Sequence, residues 1–248
     1  MAVLLTRPHP DNEPSATRLR ERGFEVLLAP MLRFEPIAFE DDPAAQYDAV
    51  IVTSSNALRA IAPQLQSTGL TGLPLFAVGD HTAATARELG FHKVISAEGD
   101  ASALRDRVIE RARARDLPED SRLLYLAGAD VSRDLAGELR DYGLDVATQT
   151  AYRMTALSTL PREVCEAFAA GKVQAVLHYS KRSAAAFLQA VRGEGIEISA
   201  LAVPQCCISG NVAAVLHEAG ALQVSAAALP NENALFEALD RALRSRLA

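Results

Sequence analysis

Thr53-Ser54-Ser55-Asn56 puts four hydroxyl and amide side chains in a row, directly after the apolar run Tyr47–Val52 and before a helical stretch that begins at Ala57. A row of this kind at the carboxyl end of a strand meets the backbone N–H groups of a helix amino end, an arrangement suited to carboxylate or phosphate. Ser, Thr and Asn are also the preferred helix caps, each worth ~1 kcal/mol. One of them therefore needs no ligand to explain it, but four exceed what a cap requires. Tyr179-Ser180-Lys181-Arg182-Ser183 holds the corresponding place later in the chain and adds two cations. Gly79-Asp80-His81-Thr82 and Ser209-Gly210-Asn211 form a second pair of strand-to-helix turns. Arg7 follows the first strand, where it either points to a ligand or forms a surface salt bridge, and Tyr152 ends a later strand. Together these groups are hydrogen-bond donors for an extended, multiply anionic ligand.

Other chemistries have no motif. There is no G-x-x-x-x-G-K-[ST] and no G-x-G-x-x-G for phosphates. His9, His81, His92, His178 and His217 lack metal-ligand spacing, so no metal is expected, and no Gly-x-Ser-x-Gly elbow is present. Cys165, Cys206 and Cys207 form no C-x-x-C and read as reduced thiols. The net charge of −6 and the lack of a basic stripe argue against a nucleic-acid surface. No apolar run approaches the ~20 residues of a membrane span. The sequence opens on an apolar strand without a charged leader, so a cytoplasmic protein is expected. No large exposed apolar face is evident, so a monomer is expected.

The elements that must position these residues come as a duplication. Residues 3–36 and 123–156 align without a gap: Leu4, Ala16, Leu19, Arg20, Gly23 and Val26 recur as Leu124, Ala136, Leu139, Arg140, Gly143 and Val146. A second unit recurs as well, Asp48–Ser54 against Gln174–Ser180 and Pro74–Gly79 against Pro204–Ser209. The order A, B, A′, B′ implies two similar domains with a ligand cleft between them. Short apolar runs alternate with helical stretches of about 8–14 residues, a pattern of parallel α/β sheets. Strands are predicted at Ala2–Leu5, Phe24–Leu28, Tyr47–Val52, Leu75–Val78, Lys93–Ser96, Leu123–Leu126, Asp145–Tyr152, Val173–Tyr179, Pro204–Ile208 and Leu222–Ser225. Predicted helices include Ala57–Leu65, Ala83–Leu89, Ser102–Ala114, Arg133–Tyr142, Ser183–Arg192, Val212–Ala219 and Glu232–Leu247, with Asp11-Asn12 capping another. Whether A joins its neighbour B or the distant B′ is open from the repeat alone. The extended stretches Met31–Phe39 and Thr148–Leu157 suit a chain that crosses twice.

Thr6-Arg-Pro8, Val52-Thr-Ser-Ser-Asn-Ala57, Ala77-Val-Gly-x-x-Thr-Ala83 and Ala151-Tyr-Arg153 together resemble the uroporphyrinogen-III synthase family over essentially the whole chain. The resemblance implies an α/β fold of two flavodoxin-like, doubly wound parallel domains from an internal duplication, joined by a two-stranded β linker. Residues 1–33 and 158–248 would form one domain and 38–152 the other, with 34–37 and 153–157 as linker strands. It implies hydroxymethylbilane, a linear tetrapyrrole rich in carboxylates, as substrate. Water is lost, the terminal D ring inverts through a spiro intermediate, and the macrocycle closes to uroporphyrinogen III, without cofactor or metal. Hand-over from hydroxymethylbilane synthase and closure of the domains on the ligand follow as expectations. By position, Tyr152 matches the tyrosine that assists departure of water, Thr82 a binding threonine, and Ser54, Ser55 and Ser180 binding serines. Arg7, Thr53, Asn56, Gly79, Lys181, Ser183 and Asn211 complete the expected substrate contacts. Asn211-Val212 departs from the family by lacking a threonine hydroxyl. A non-catalytic two-domain binding protein, or an inactive paralogue, is the alternative reading.

Overall fold

The computed structural model describes residues 2–40, 45–131 and 133–244. Its packing divides the chain into two compact units, residues 1–33 with 155–248, and residues 34–154. The strands are β1 (Ala2–Leu5), β2 (Glu25–Leu28), β3 (Leu32–Pro36), β4 (Ala49–Val52), β5 (Leu75–Ala77), β6 (Val94–Ser96), β7 (Arg122–Gly128), β8 (Asp145–Ala156), β9 (Val173–His178), β10 (Gln205–Cys207) and β11 (Val224–Ala226). The helices are α1 (Asn12–Glu21), α2 (Ser55–Ile61), α3 (Leu65–Thr68), α4 (Asp80–Glu88), α5 (Ala101–Arg113), α6 (Leu135–Asp141), α7 (Arg162–Ala169), α8 (Lys181–Gly193), α9 (Glu197–Leu201), α10 (Gly210–Glu218) and α11 (Glu232–Arg244).

One sheet has the order β11-β10-β9-β1-β2, with every pairing parallel. The other has the order β3-β8-β7-β4-β5-β6, parallel from β8 to β6. The central strands β1 and β4, Ala-Val-Leu-Leu and Ala-Val-Ile-Val, are buried along their whole length. That is the pattern of parallel strands covered by helices on both faces. Each sheet is accordingly flanked by two apolar clusters, Leu4 and Val176 on one side of the first sheet and Val3 and Leu177 on the other. Glycines 23 and 143, at repeat-related positions, follow α1 and α6 with φ of 86° and 99°, the left-handed conformation that ends a helix and returns the chain to the next strand.

Several elements depart from expectation for local reasons. The helix predicted from Ala57 to Leu65 starts at Ser55 and stops at Ile61, because Pro63 lacks the N–H that would continue it; a 3-10 turn and α3 follow. The turns predicted at residues 80–82 and 210–211 are first turns of α4 and α10. Asp11 precedes α1 in helical geometry and its side chain makes no capping bond. Tyr152 lies inside β8, which runs on to Ala156. α7 and α9 have no counterpart in the sequence reading. The end of the helix predicted to reach Leu247 lies outside the described residues.

The neighbouring thiols of Cys206 and Cys207 fall into different apolar clusters, as side chains on opposite faces of β10 must. Burial pushes them up to about 11 and about 12. His178, also fully buried, sits edge-on to Phe187, with ring centroids 5.2 Å apart. Its Nε2 lies 2.9 Å from Gln205 Oε1, while the Gln205 amide donates to the carbonyls of Ala200 and Val203. Oε1 is therefore the acceptor, and neutral His178 carries its proton on Nε2. Burial drives the His178 pKa down to about 4. The unfolded chain binds this proton first as pH falls, so stability present above the ordinary value of about 6.5 is lost between that pH and about 4. Urea denaturation should show a loss on the order of 2–3 kcal/mol across this window from His178 alone, and His178→Gln should flatten the pH slope.

Candidate functional site

Parallel sheets collect the carboxyl ends of their strands at one edge, and each unit has an open cavity there. In the unit of residues 34–154 it measures about 250 Å³ and is lined by Thr53, Val78, Ala101, Tyr125, Gly128, Asp130, Val131, Arg133, Leu135 and Tyr152. In the other unit it measures about 420 Å³ and is lined by Arg7, Pro8, Asp11, Tyr179, Ser180, Ser183, Ile208, Pro230, Asn231 and Glu232. Several of their lining positions coincide when the chain is aligned with itself. Thr53, Val78, Ala101, Gly128 and Val131 align with Tyr179, Ile208, Asn231, Pro8 and Asp11.

A bulge between Ala127 and Gly128 sets the first cavity. Ala127 pairs with Thr150 and Gly128 with Tyr152, so the ladder skips Ala151. Bulges re-aim side chains, and here the Tyr152 ring lies over Gly128. A Cβ on Gly128 would stand 2.8 Å from Tyr152 Cζ and 2.9 Å from its hydroxyl oxygen. Phe34 backs the ring at 5.8 Å between centroids. Across the cavity, Tyr125 is buried with its hydroxyl 3.2 Å from Thr53 Oγ1. Burial raises the Tyr125 pKa, so the phenol is protonated at neutral pH. Arg133 brings a cation to the rim, hydrogen-bonded to Ser102 and bidentate to Glu138 at 2.5 and 2.7 Å. With Arg105 as a further partner at 3.0 Å, these bonds hold the Glu138 carboxyl down at about 2, the Arg133 bond contributing most.

The second cavity is built around a carboxylate. Tyr179 donates to Glu232 Oε1 at 2.8 Å, Arg7 donates to the same oxygen at 3.2 Å, and Ser15 also donates to it. Arg18 pairs with Oε2 at 2.5 Å. Burial opposes the charge on Glu232, but these donors outweigh it and its pKa is lowered. The Arg7 guanidinium also lies 4.7 Å from the centre of the Tyr179 ring. Burial, with Glu232 beside it, raises the Tyr179 pKa.

Of the residues singled out from sequence, Thr53 and Tyr152 line the first cavity, and Arg7, Ser180 and Ser183 the second. Arg7 lines this cavity and pairs with Glu232. Ser54 caps α2 through the Asn56 N–H, and Asn56 accepts from Arg59 at 3.0 Å. Ser180 caps α8 by accepting from the Ser183 N–H and donates to Ser183 Oγ at 2.9 Å. Ser55 and Thr82 are buried in the first turns of α2 and α4. Gly79 precedes α4, and Lys181 and Asn211 are exposed at the starts of α8 and α10. Ser54, Ser55, Asn56, Gly79, Thr82, Lys181 and Asn211 line neither cavity. Tyr125, Arg133 and Glu232 escaped the sequence reading. The signal for Tyr125 is a hydroxyl on a central strand where the aligned repeat has Leu5.

Among the described residues, no group of His, Cys, Asp and Glu is placed to hold a metal ion, and no helix is long and apolar enough to cross a membrane. Glu232→Gln keeps acceptors for Ser15 and Tyr179 but leaves Arg7 and Arg18 without their carboxylate. It should cost about 1–3 kcal/mol, read as a lowered urea midpoint at pH 7.

Comparison with known proteins completes the picture. Residues 13–237 match the family model described as uroporphyrinogen-III synthase HemD. Among solved structures, the chain is similar to uroporphyrinogen-III synthetase from Helicobacter pylori, at 20% identity and a TM-score of 0.65, with 100% of this chain and 99% of that one covered. It is similar to a mutant uroporphyrinogen III synthase from Thermus thermophilus at 18% identity and a TM-score of 0.56, with 99% of both chains covered. No curated protein matches the sequence significantly. The two structural likenesses establish the shared fold, and a family match over most of the sequence establishes the rest: the chain belongs to the uroporphyrinogen-III synthase family.

Proposed function

We propose that this chain converts hydroxymethylbilane to uroporphyrinogen III in tetrapyrrole biosynthesis, as the family match supports, and that Tyr152 in the cavity beside Gly128 is the group that assists loss of water. The observation that carries the assignment is the bulge, which sets a phenol over a glycine at the mouth of a polar cavity. The chemistry asks little of a side chain. The hydroxymethyl C–O bond breaks with its electron pair on oxygen, the oxygen takes up a proton, and the pyrrole N–H releases one, so water departs and an azafulvene remains. A hydrogen bond from Tyr152 to the leaving oxygen stabilises the charge that develops there. Ring D then attacks through its substituted carbon, and the spiro intermediate fragments and recloses. Free in solution the substrate closes without inversion, so the protein's task is to hold one folded geometry.

Donors for the substrate carboxylates are read from each unit: Ser54, Asn56 and Gly79 in one, with the buried Ser55 and Thr82 contributing through the backbone of α2 and α4 and Thr53 engaged with Tyr125, and Arg7, Ser180, Lys181, Ser183 and Asn211 in the other. The helix amino ends at Ser55, Asp80, Lys181 and Gly210 add backbone N–H groups. Arg133 joins the set as a cation at the first cavity. Each unit is read as a flavodoxin-like domain of an internal duplication, with 34–37 and 153–157 as linker strands. The protein is proposed to act as a cytoplasmic monomer that needs no cofactor and receives its substrate from hydroxymethylbilane synthase.

The test is a coupled assay that generates hydroxymethylbilane in situ, oxidises the products and separates the uroporphyrin isomers. Predominant isomer III supports the proposal; isomer I alone, at the rate without protein and with the chain folded, returns the weight to a binding role. Tyr152→Phe should lower kcat by roughly 10²-fold or more with KM little changed. Gly128→Ala should reproduce part of that loss with the Tyr152 hydroxyl still present, because its Cβ displaces the ring.

A further inference from the structure

The duplication supplies an internal control for the first cavity. Tyr125 on β7 aligns with Leu5 on β1, and both are buried in central strands. Leu5 demonstrates that an aliphatic side chain satisfies the packing at this position. Tyr125, packed with Ile51, Leu123 and Leu135, instead adds a hydroxyl, and a buried hydroxyl costs free energy unless it is hydrogen-bonded. Its partner is Thr53 Oγ1 at 3.2 Å, with both residues on the cavity wall that includes Tyr152. Either hydroxyl can be the donor in this pair. Each hydroxyl has one proton to donate. When Thr53 donates to the phenol oxygen, the Tyr125 proton is left for an acceptor in the cavity.

We propose that Tyr125 is a second catalytic hydroxyl of this site, donating to the oxygen that leaves as water, and that Thr53 is its positioning residue, acting by fixing the orientation of the phenol. This rests on the synthase reading above. The step balances as before: the C–O bond breaks with its electron pair on oxygen, the pyrrole N–H supplies the net proton, and Tyr125 keeps its own. Two phenols would then share the developing charge, Tyr152 from the bulge side and Tyr125 from the strand side. The aligned cavity of the other unit has Leu5 and a carboxylate-bound Tyr179 at these places, so it lacks this pair and would serve recognition alone.

The experiment measures kcat, KM and product isomers for the full chain and the variants Tyr125→Phe, Thr53→Val, Thr53→Ser and the Thr53→Val/Tyr125→Phe double variant, in the coupled assay. The expected result is a roughly 10- to 100-fold fall in kcat for Tyr125→Phe with KM within twofold, and a larger share of isomer I as substrate closes in solution. Thr53→Val should fall in the same sense, Thr53→Ser should recover most of the rate, and the double variant should be no slower than Tyr125→Phe. A native-like kcat in Tyr125→Phe, or a loss confined to KM, overturns the proposal, as do multiplicative losses in the double variant. Should Tyr125→Phe fail to fold, the contrast between Thr53→Val and Thr53→Ser decides by itself. Isomer I alone from the native chain would overturn the synthase reading, a result distinguishable from any variant effect.

Discussion

Parallel pairing is the constraint from which the rest follows. It sends every strand in one direction, so each carboxyl end, and the amino end of the helix that comes next, arrives at the same edge of its sheet. Both sheets obey it across their central strands. Polar turns that are far apart in sequence are thereby brought to one place without any direct attraction between them. The apolar strands Ala2–Leu5 and Ala49–Val52 serve the site only by being buried. Their burial fixes the register on which the turns depend.

The aligned sequence stretches carry two different polar sites. Both cavities stand at aligned positions, but their polar groups are distributed differently. In one, a glutamate from α11 meets arginines at Arg7 and Arg18. In the other, Glu138 from α6 meets Arg105 and Arg133. Carboxylate and guanidinium have exchanged elements between the repeats, and each cavity keeps an arginine in its wall. The first cavity has the bulge and the phenol that it aims, so the two differ in the chemistry they present.

Much of this was legible in the sequence because it rests on local rules. Gly23 and Gly143 mark helix ends through positive φ, and the apolar runs mark central strands. The caps at Ser54 and Ser180 follow from residue type. What was hidden depends on partners distant in sequence. No periodicity reveals that Gly128 pairs with Tyr152 after a skipped residue, or that Glu232 gathers Arg7, Ser15, Arg18 and Tyr179. α9 spans only five residues, too short for a helical repeat to register. In sequence Tyr125 is one more large residue of a buried strand, and Thr53, which stands beside its hydroxyl, is 72 residues away.

The order of the strands also bears on how the chain is made. β1 pairs with β2 and β9, and its end at Thr6 bonds to Leu177, 171 residues further on. Residues 49–156, by contrast, contain every strand of the other sheet from β8 to β6. On a ribosome the inner unit is complete while β1, already beside β2, still lacks β9, so β1 is secured only after the strands of residues 49–156. For that interval an apolar strand with an open edge must be kept from pairing elsewhere. Chaperone demand and sensitivity to interruption should therefore concentrate on β1 and on the strands from β9 to β11, with residues 49–156 insulated from both.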